Sequence, residues 1–257
     1  MSPPRPGQEL LRGYLDLLFA PVCLGCGAGM SSRSAERRVC AVCWSRARPL
    51  PVPRCIRCWM PLAPSISPLI PPPACALCPT LPPSLRAVRS AYLFDGPARN
   101  IVHALKYGGW HAVAEPMGRR MAALDWPQET EDEVRIVVPV PLGAARLRGR
   151  GYNQAEHLAR EVAARRGWRC RADLLRRGRA TDAQATLHAA ERRANVAGAF
   201  RAAGDAGLVL RGEHVLVVDD VWTTGATALA CCQALLSAGA RAVSVLTFAR
   251  ALPGPPH

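Results

Sequence analysis

The chain has 257 residues, 49% of them hydrophobic, and its 24 Pro and 21 Gly follow no period, so it is neither disordered nor collagen-like and can bury a core. Net charge is +14, from 33 basic and 19 acidic residues, and both halves carry an excess of Arg suited to a polyanion or to a solvated surface. Only one of the basic residues, Lys106, is a lysine.

Leu10, Leu11, Tyr14, Leu17 and Leu18 recur at helical spacing and predict a short N-terminal helix. Arg12 and Asp16 interrupt this segment, which lacks a small-residue cleavage site and does not read as a signal peptide. The longest uncharged run, 59–85, contains nine prolines and cannot form a spanning helix. A cytoplasmic location is therefore expected.

Eight of the 11 cysteines fall between Cys23 and Cys78, and the composition changes near residue 85. The expected organisation is an N-terminal helix and Cys-rich module over 1–85 and a larger α/β domain over 86–257. The cysteines form the pairs Cys23/Cys26, Cys40/Cys43, Cys55/Cys58 and Cys75/Cys78. Two thiols three positions apart in a tight turn can face one ion, and two such turns supply the four thiolates of a tetrahedral Zn²⁺ site. Taken in order the pairs make two structural zinc sites, a double zinc ribbon. A cross-braced arrangement, first with third and second with fourth, has a workable residue count too. Disulfides would need an oxidising compartment, of which the sequence gives no sign. Closed four-thiolate sites leave no open position, so the metals are expected to stabilise the fold and not to catalyse. Cys170, Cys231 and Cys232 lie in or beside apolar runs and are expected in the core.

Beyond residue 85 strands and helices alternate. Strands are expected over 91–94, 136–140, 214–218 and 242–248. Helices are expected through Ile101, Val102 and Leu105, and over 112–124, 153–164 and 226–238, with Gly167 and Gly239 as stops. Crossover connections of this kind imply a parallel sheet with flanking helices.

The strand ending in Asp219 and Asp220 is followed by Val221, Trp222, Thr223, Thr224, Gly225, Ala226 and Thr227. Backbone N–H groups at a helix N-terminus bind anions, the threonine hydroxyls add donors, and glycine lets the backbone approach closely. Adjacent carboxylates at a strand's carboxyl end can accept hydrogen bonds from a ribose diol and sit near Mg²⁺ carried by a diphosphate. A ribose phosphate would satisfy both halves of the segment.

This segment resembles the phosphoribosyl pyrophosphate (PRPP) signature of type I phosphoribosyltransferases. Together with the Cys pairs, Leu105-Lys106-Tyr107, Val138-Pro139-Val140-Pro141, the run from Arg148 to Ala155, Arg179/Thr181/Gln184 and Arg192/Asn195/Val196, it is similar to the ComF family over nearly the whole chain. Members of that family are competence-associated proteins, similar to those needed for DNA uptake. The resemblance implies a type I phosphoribosyltransferase-like sheet preceded by a zinc-ribbon module. It implies ribose contacts from Asp219 and Asp220, a 5′-phosphate cradle at Thr223, Thr224, Gly225, Ala226 and Thr227, and a pyrophosphate-facing turn at Val140 and Pro141. Lys106, Arg148, Arg150 and Arg179 are the candidate cations for the leaving pyrophosphate, and Asp219, Asp220 and Lys106 the candidate catalytic residues. The implied cofactors are two structural Zn²⁺ and the Mg²⁺ that accompanies PRPP.

Three functions compete on these residues. One is a phosphoribosyltransferase, whose acceptor nothing in the sequence identifies. The second is a PRPP-sensing or single-stranded-DNA-binding protein, with Trp44, Trp59, Trp110 and Tyr152 as stacking residues and other competence proteins as partners. The third, a regulator of transcription that senses PRPP, would need a reading helix, and the sequence shows no helix-turn-helix pattern outside the α/β region.

Overall fold

The computed structural model describes residues 21–30, 38–64, 74–178 and 198–252. The expected N-terminal helix, Arg179, the motif positions from Thr181 to Val196, and the tail lie outside the described residues.

The helices are α1 (Ala41–Arg46), α2 (Gly96–Tyr107), α3 (Ala114–Ala122), α4 (Gln128–Glu133), α5 (Ala144–Arg150), α6 (Gln154–Arg166), α7 (Ala206–Leu210) and α8 (Ala226–Ser237). The strands are β1 (Leu85–Leu93), β2 (Val134–Pro139), β3 (Arg169–Cys170), β4 (Leu175–Arg177), β5 (Phe200–Ala202), β6 (His214–Trp222) and β7 (Ala242–Arg250). Five strands form one parallel sheet in the order β1-β7-β6-β2-β3, and β4 and β5 form a separate antiparallel pair.

The expected parallel α/β sheet is present, with strand ends that differ from the sequence reading. β1 begins at Leu85, six residues earlier than expected, because the arginines that break its apolar run are accommodated. Arg89, buried, donates to the carbonyls of Ile56, Arg57, Val88 and Asp125. β6 runs to Trp222, so the acidic pair lies inside the strand and not beyond it, held in register by Asp219 opposite Thr247 and Trp222 opposite Arg250. The expected helix over 112–124 is a 3₁₀ turn at His111–Val113 followed by α3. Helices α4, α5 and α7 are too short for periodicity to reveal them.

Both faces of the sheet are buried, as parallel strands require. On β6, Leu216 and Val218 face α2, α3 and α6, whereas Val215 and Val217 face α7 and α8. Cys231 and Cys232 are fully buried under the second face, and Cys170 is partly buried against the first.

The cysteine-rich segment straddles the β1 edge of the sheet. Cys23, Val39, Cys43, Trp44 and Ala47 join the first core, whereas Cys55, Cys58 and Leu81 join the second. Between them the chain runs along β1: Leu93 donates its N–H to the Arg48 carbonyl at 2.8 Å and Val88 to that of Arg57 at 2.9 Å. An otherwise open strand edge is thereby covered.

At the opposite end of the strands from the acidic pair, His214 bridges Glu133 through Nδ1 and Ser244 through Nε2, each at 2.9 Å. Ser244 is fully buried, so this row is a polar pin and not a nucleophile. Burial holds the His214 pKa below the ordinary 6.5, and Glu133 works against that shift. Stability linked to His214 is thus fully present above 6.5 and is lost as pH falls through it toward the lower folded value, where the unfolded chain binds the extra proton. Urea unfolding midpoints should therefore drop between pH 7 and 5, and the drop should be smaller in His214→Gln; equal slopes in both proteins would contradict this assignment.

Candidate functional site

The chain leaves β2 toward β3 and leaves β6 toward β7, so the carboxyl ends of the neighbouring strands β2 and β6 form a topological switch point, where open α/β sheets bind ligands. The turn after β2 is tied to β6, since Val140 donates to the Val218 carbonyl at 2.9 Å. Asn153 donates through Nδ2 to the Val140 carbonyl at 3.1 Å and caps α6 by accepting from the Ala155 N–H. Pro141 lies at the mouth of this crevice, half-buried.

Asp219 and Asp220, being adjacent on a strand, diverge to the two faces. Asp220, buried beneath α2, accepts from Lys106 Nζ at 2.9 Å through Oδ1, while its Oδ2 is buried and accepts no hydrogen bond among the described residues. Asp219 Oδ1 accepts the Asp220 N–H at 2.8 Å. Although part of its surface reaches solvent, the Asp219 carboxyl is ringed by protein, and burial, then the charge of Asp220, push its pKa up to about 7 against the pull of Lys106.

Beyond the strand, Thr223 is exposed and Thr224 Oγ1 accepts the Ala226 N–H at 3.4 Å. Gly225 opens α8 in the left-handed region, φ 78°, directly above the Trp222 ring. Any Cβ at Gly225 would overlap that ring. Thr227 lies half-buried in the first turn of α8.

The structure thus brings together Lys106, Val140, Pro141, Asp219, Asp220 and the turn from Thr223 to Thr227. The two α5 arginines stand differently. Arg148 is exposed, and Arg150 is engaged by Gln154 Oε1 at 2.6 Å and by the Tyr107 ring, 5.2 Å from its centroid. Arg177 carries no local signal that sets it apart from its many neighbouring arginines, yet it lies beside Gly143 in the β2 turn and over the Phe200 ring. Only the pairing of β4 with β5 carries it there. Of the proposed stacking residues, Trp44 and Trp59 are buried and are removed from that role, because no face of either ring is open to a base; Arg120 lies on Trp44, and Arg54 and Arg89 on Trp59.

The cysteines close in chain order. Cys23, Cys26, Cys40 and Cys43 form one group, and Cys55, Cys58, Cys75 and Cys78 the other, each with its sulfurs within 4.8 Å of one another. Contacts within the groups run from 3.4 to 4.0 Å. Four sulfurs about 2.3 Å from a central Zn²⁺ would stand about 3.8 Å apart, so the donor sets fit one tetrahedral ion each. Burial disfavours the Cys23 thiolate, but N–H groups of Cys40, Gly25 and Cys26 outweigh it and hold the pKa at about 6. Burial, reinforced by neighbouring thiols, raises Cys43 and Cys58, and pushes Cys78 up to about 11. Thiols this close cannot all ionise unless a cation sits among them.

The packing around two glycines can be tested directly. A Cβ at Gly25 would stand 2.7 Å from Cys43 Sγ. Wild-type protein should bind two zinc ions per chain, and Gly25→Ala should lose one of them to a chelator at least ~10-fold faster, in the range of changes beside metal ligands; unchanged release would contradict the packing. Gly225→Ala should destabilise the fold by about 1–3 kcal/mol, the usual cost of a strained left-handed residue, measured by urea denaturation.

No protein-family model matches the sequence. The chain is 32% identical over 224 residues to the DNA utilization protein YhgH of Salmonella typhimurium, covering 83% of this chain and 91% of that protein. It is 31% identical over 226 residues to the protein of the same name from Escherichia coli K12, and 30% identical to that from Shigella flexneri, with the same coverage. Among the described residues no helix is long and apolar enough to cross a membrane.

Proposed function

Since the chain belongs to the family of the DNA utilization protein YhgH, we propose that it is a ComF-like protein that binds PRPP with Mg²⁺ at the switch point and acts in the uptake or handling of DNA. The observation that carries the ligand is Asp220, a buried carboxylate neutralised on one oxygen by the single lysine of the chain and lacking a partner on the other among the described residues. A buried acceptor without a partner is costly, and a ribose hydroxyl supplies the donor it lacks.

The neighbouring groups divide the rest of the ligand among them. The turn from Thr223 to Thr227 takes the 5′-phosphate, and the Val140–Pro141 turn faces the diphosphate. Asp219 and Asp220 have each committed an oxygen within the protein, which leaves too few donors for a protein cage around Mg²⁺. The ion therefore enters with the diphosphate, whose charge it neutralises. Lys106, held in the site by its ion pair with Asp220 and flanked by the exposed Tyr107, turns its ammonium toward pyrophosphate as that group departs. Attack of an acceptor at the anomeric carbon then makes the protein a phosphoribosyltransferase.

A second reading, single-stranded DNA binding with PRPP as a sensed ligand, draws on the rim of the site. Tyr107 is 74% exposed with Arg150 over its ring, and Trp110 is 39% exposed with Arg38 4.8 Å from its centroid. Aromatic faces backed by guanidinium groups suit unstacked bases.

Calorimetric titration of PRPP with Mg²⁺ into the zinc-loaded protein separates these readings. Wild type should bind, and the Asp219→Asn/Asp220→Asn variant should lose at least ~10-fold in affinity, about 1.4 kcal/mol. Release of pyrophosphate by wild type, much reduced in Lys106→Met, would mark the enzyme. Binding without release, together with DNA affinity that falls steeply with salt and survives the double substitution, would mark the binding protein. A folded wild type that binds no PRPP would end the ligand assignment.

A further inference from the structure

Arg250 closes β7 and is 1% exposed, at the carboxyl edge of the sheet beside the site. Its Nη1 donates to the Cys58 carbonyl at 2.5 Å, in the second cysteine group. Its guanidinium lies 5.2 Å from the centroid of the Trp222 ring, and Nη2 is buried with no hydrogen bond among the described residues. Trp222 in turn lies directly under Gly225, and its carbonyl accepts the Ala251 N–H at 2.9 Å, next to Arg250. An unbroken row of contacts thus runs from the cysteine group to the turn: Cys58, Arg250, Trp222, Gly225.

We infer that Arg250 is a positioning residue that fastens the phosphate turn to the second cysteine group, so that the turn keeps its anion-binding shape only while that group is closed around a metal. A guanidinium buried with one carbonyl and one aromatic face is poorly compensated. A divalent ion held by four thiolates carries a net charge of −2 and provides the missing counter-charge across the Cys58 turn. Closing the group also fixes the Cys58 carbonyl, because the sulfurs of Cys58 and Cys75 stand only 3.4 Å apart. If the group opens, Arg250 loses its acceptor and its counter-charge together. Trp222 then loses the cation on its face, and Gly225 loses the rigid floor that its left-handed turn rests on. Such coupling is reciprocal: a ligand in the turn must retain the metal by the same factor by which the metal retains the ligand.

The inference rests on the proposed reading of the turn as an anion site, and the test keeps the two apart. Full-length zinc-loaded wild type, Arg250→Leu and the milder Arg250→Lys are compared, with circular dichroism confirming that each is folded. One of the two zinc ions should pass to a chelator ~10-fold or more faster in Arg250→Leu, with the other unchanged. Amide exchange should rise at Leu229, whose N–H bonds the Gly225 carbonyl at 2.8 Å, both in Arg250→Leu and in Cys75→Ser/Cys78→Ser. Arg250→Lys, which keeps the charge but not the planar fork, should fall between. With Mg²⁺ and PRPP, wild type should lose the labile zinc more slowly, an effect absent from Arg250→Leu. Wild-type zinc release in Arg250→Leu would overturn the inference, as would faster release with unaltered exchange at Leu229. Should wild type bind no PRPP, the ligand assignment fails, while zinc release and amide exchange still decide whether Arg250 joins metal to turn.

Discussion

The central strand β6 is apolar on both faces and hydrogen-bonded on both edges, and the site depends on that. Its four-residue apolar run cannot shift without exposing Leu216 and Val218 on one side and Val215 and Val217 on the other. The residues immediately after the run, a pair of carboxylates and then a glycine turn, are therefore delivered to a fixed place at the carboxyl edge of the sheet. The same alternation that buries the valines sends Asp219 and Asp220 to opposite faces, so the two acids acquire different environments despite their adjacency. One is neutralised by a lysine from α2, and the other has its proton affinity raised by burial and by its neighbour.

Around that strand the cysteine-rich segment is structurally part of the sheet's edge. Each cysteine group joins a different core, and the chain between them pairs with β1. A segment so rich in proline has few backbone donors and little periodic apolar surface, so it gains order by closing its thiols and by leaning on the α/β core. Buried arginines make the seam. Arg89 and Arg250 both donate to carbonyls of the second group and both lie against tryptophan rings. Arginine suits this position because its planar fork can satisfy several carbonyls while its face stacks on an indole. The abundance of arginine in the sequence is thus not wholly a matter of surface charge.

Short-range signals in the sequence were sufficient for the sheet, the crossover helices, the cysteine spacing and the glycine turn that opens α8. Apolar runs, glycine stops and pairs three residues apart are local, and the physics that reads them is local as well. Hence β2, β6, β7, α6 and α8 stand within a few residues of their expected places, and the Thr224–Gly225 turn opens α8 as its residues require. The extra length of β1 and β6 was hidden because buried Arg89 and Asp220 break the apolar pattern, and only partners distant in sequence make their burial tolerable.

Local sequence specified which groups the chain holds: eight paired thiols, an acidic pair before a Thr/Gly turn, and one lysine. Long-range packing settled how these are joined. Both groupings of the cysteine pairs were compatible with their spacing, and the choice of sequential closure depends on which turns the two faces of the sheet bring together. Lys106 acquires its partner Asp220, far along the chain, because α2 packs over β6. Trp44 and Trp59 turn from candidate stacking residues into buried ones because elements distant in the chain pack over them. These outcomes are contacts between segments far apart in the chain, and periodicity, being a property of neighbours, carries no information about them.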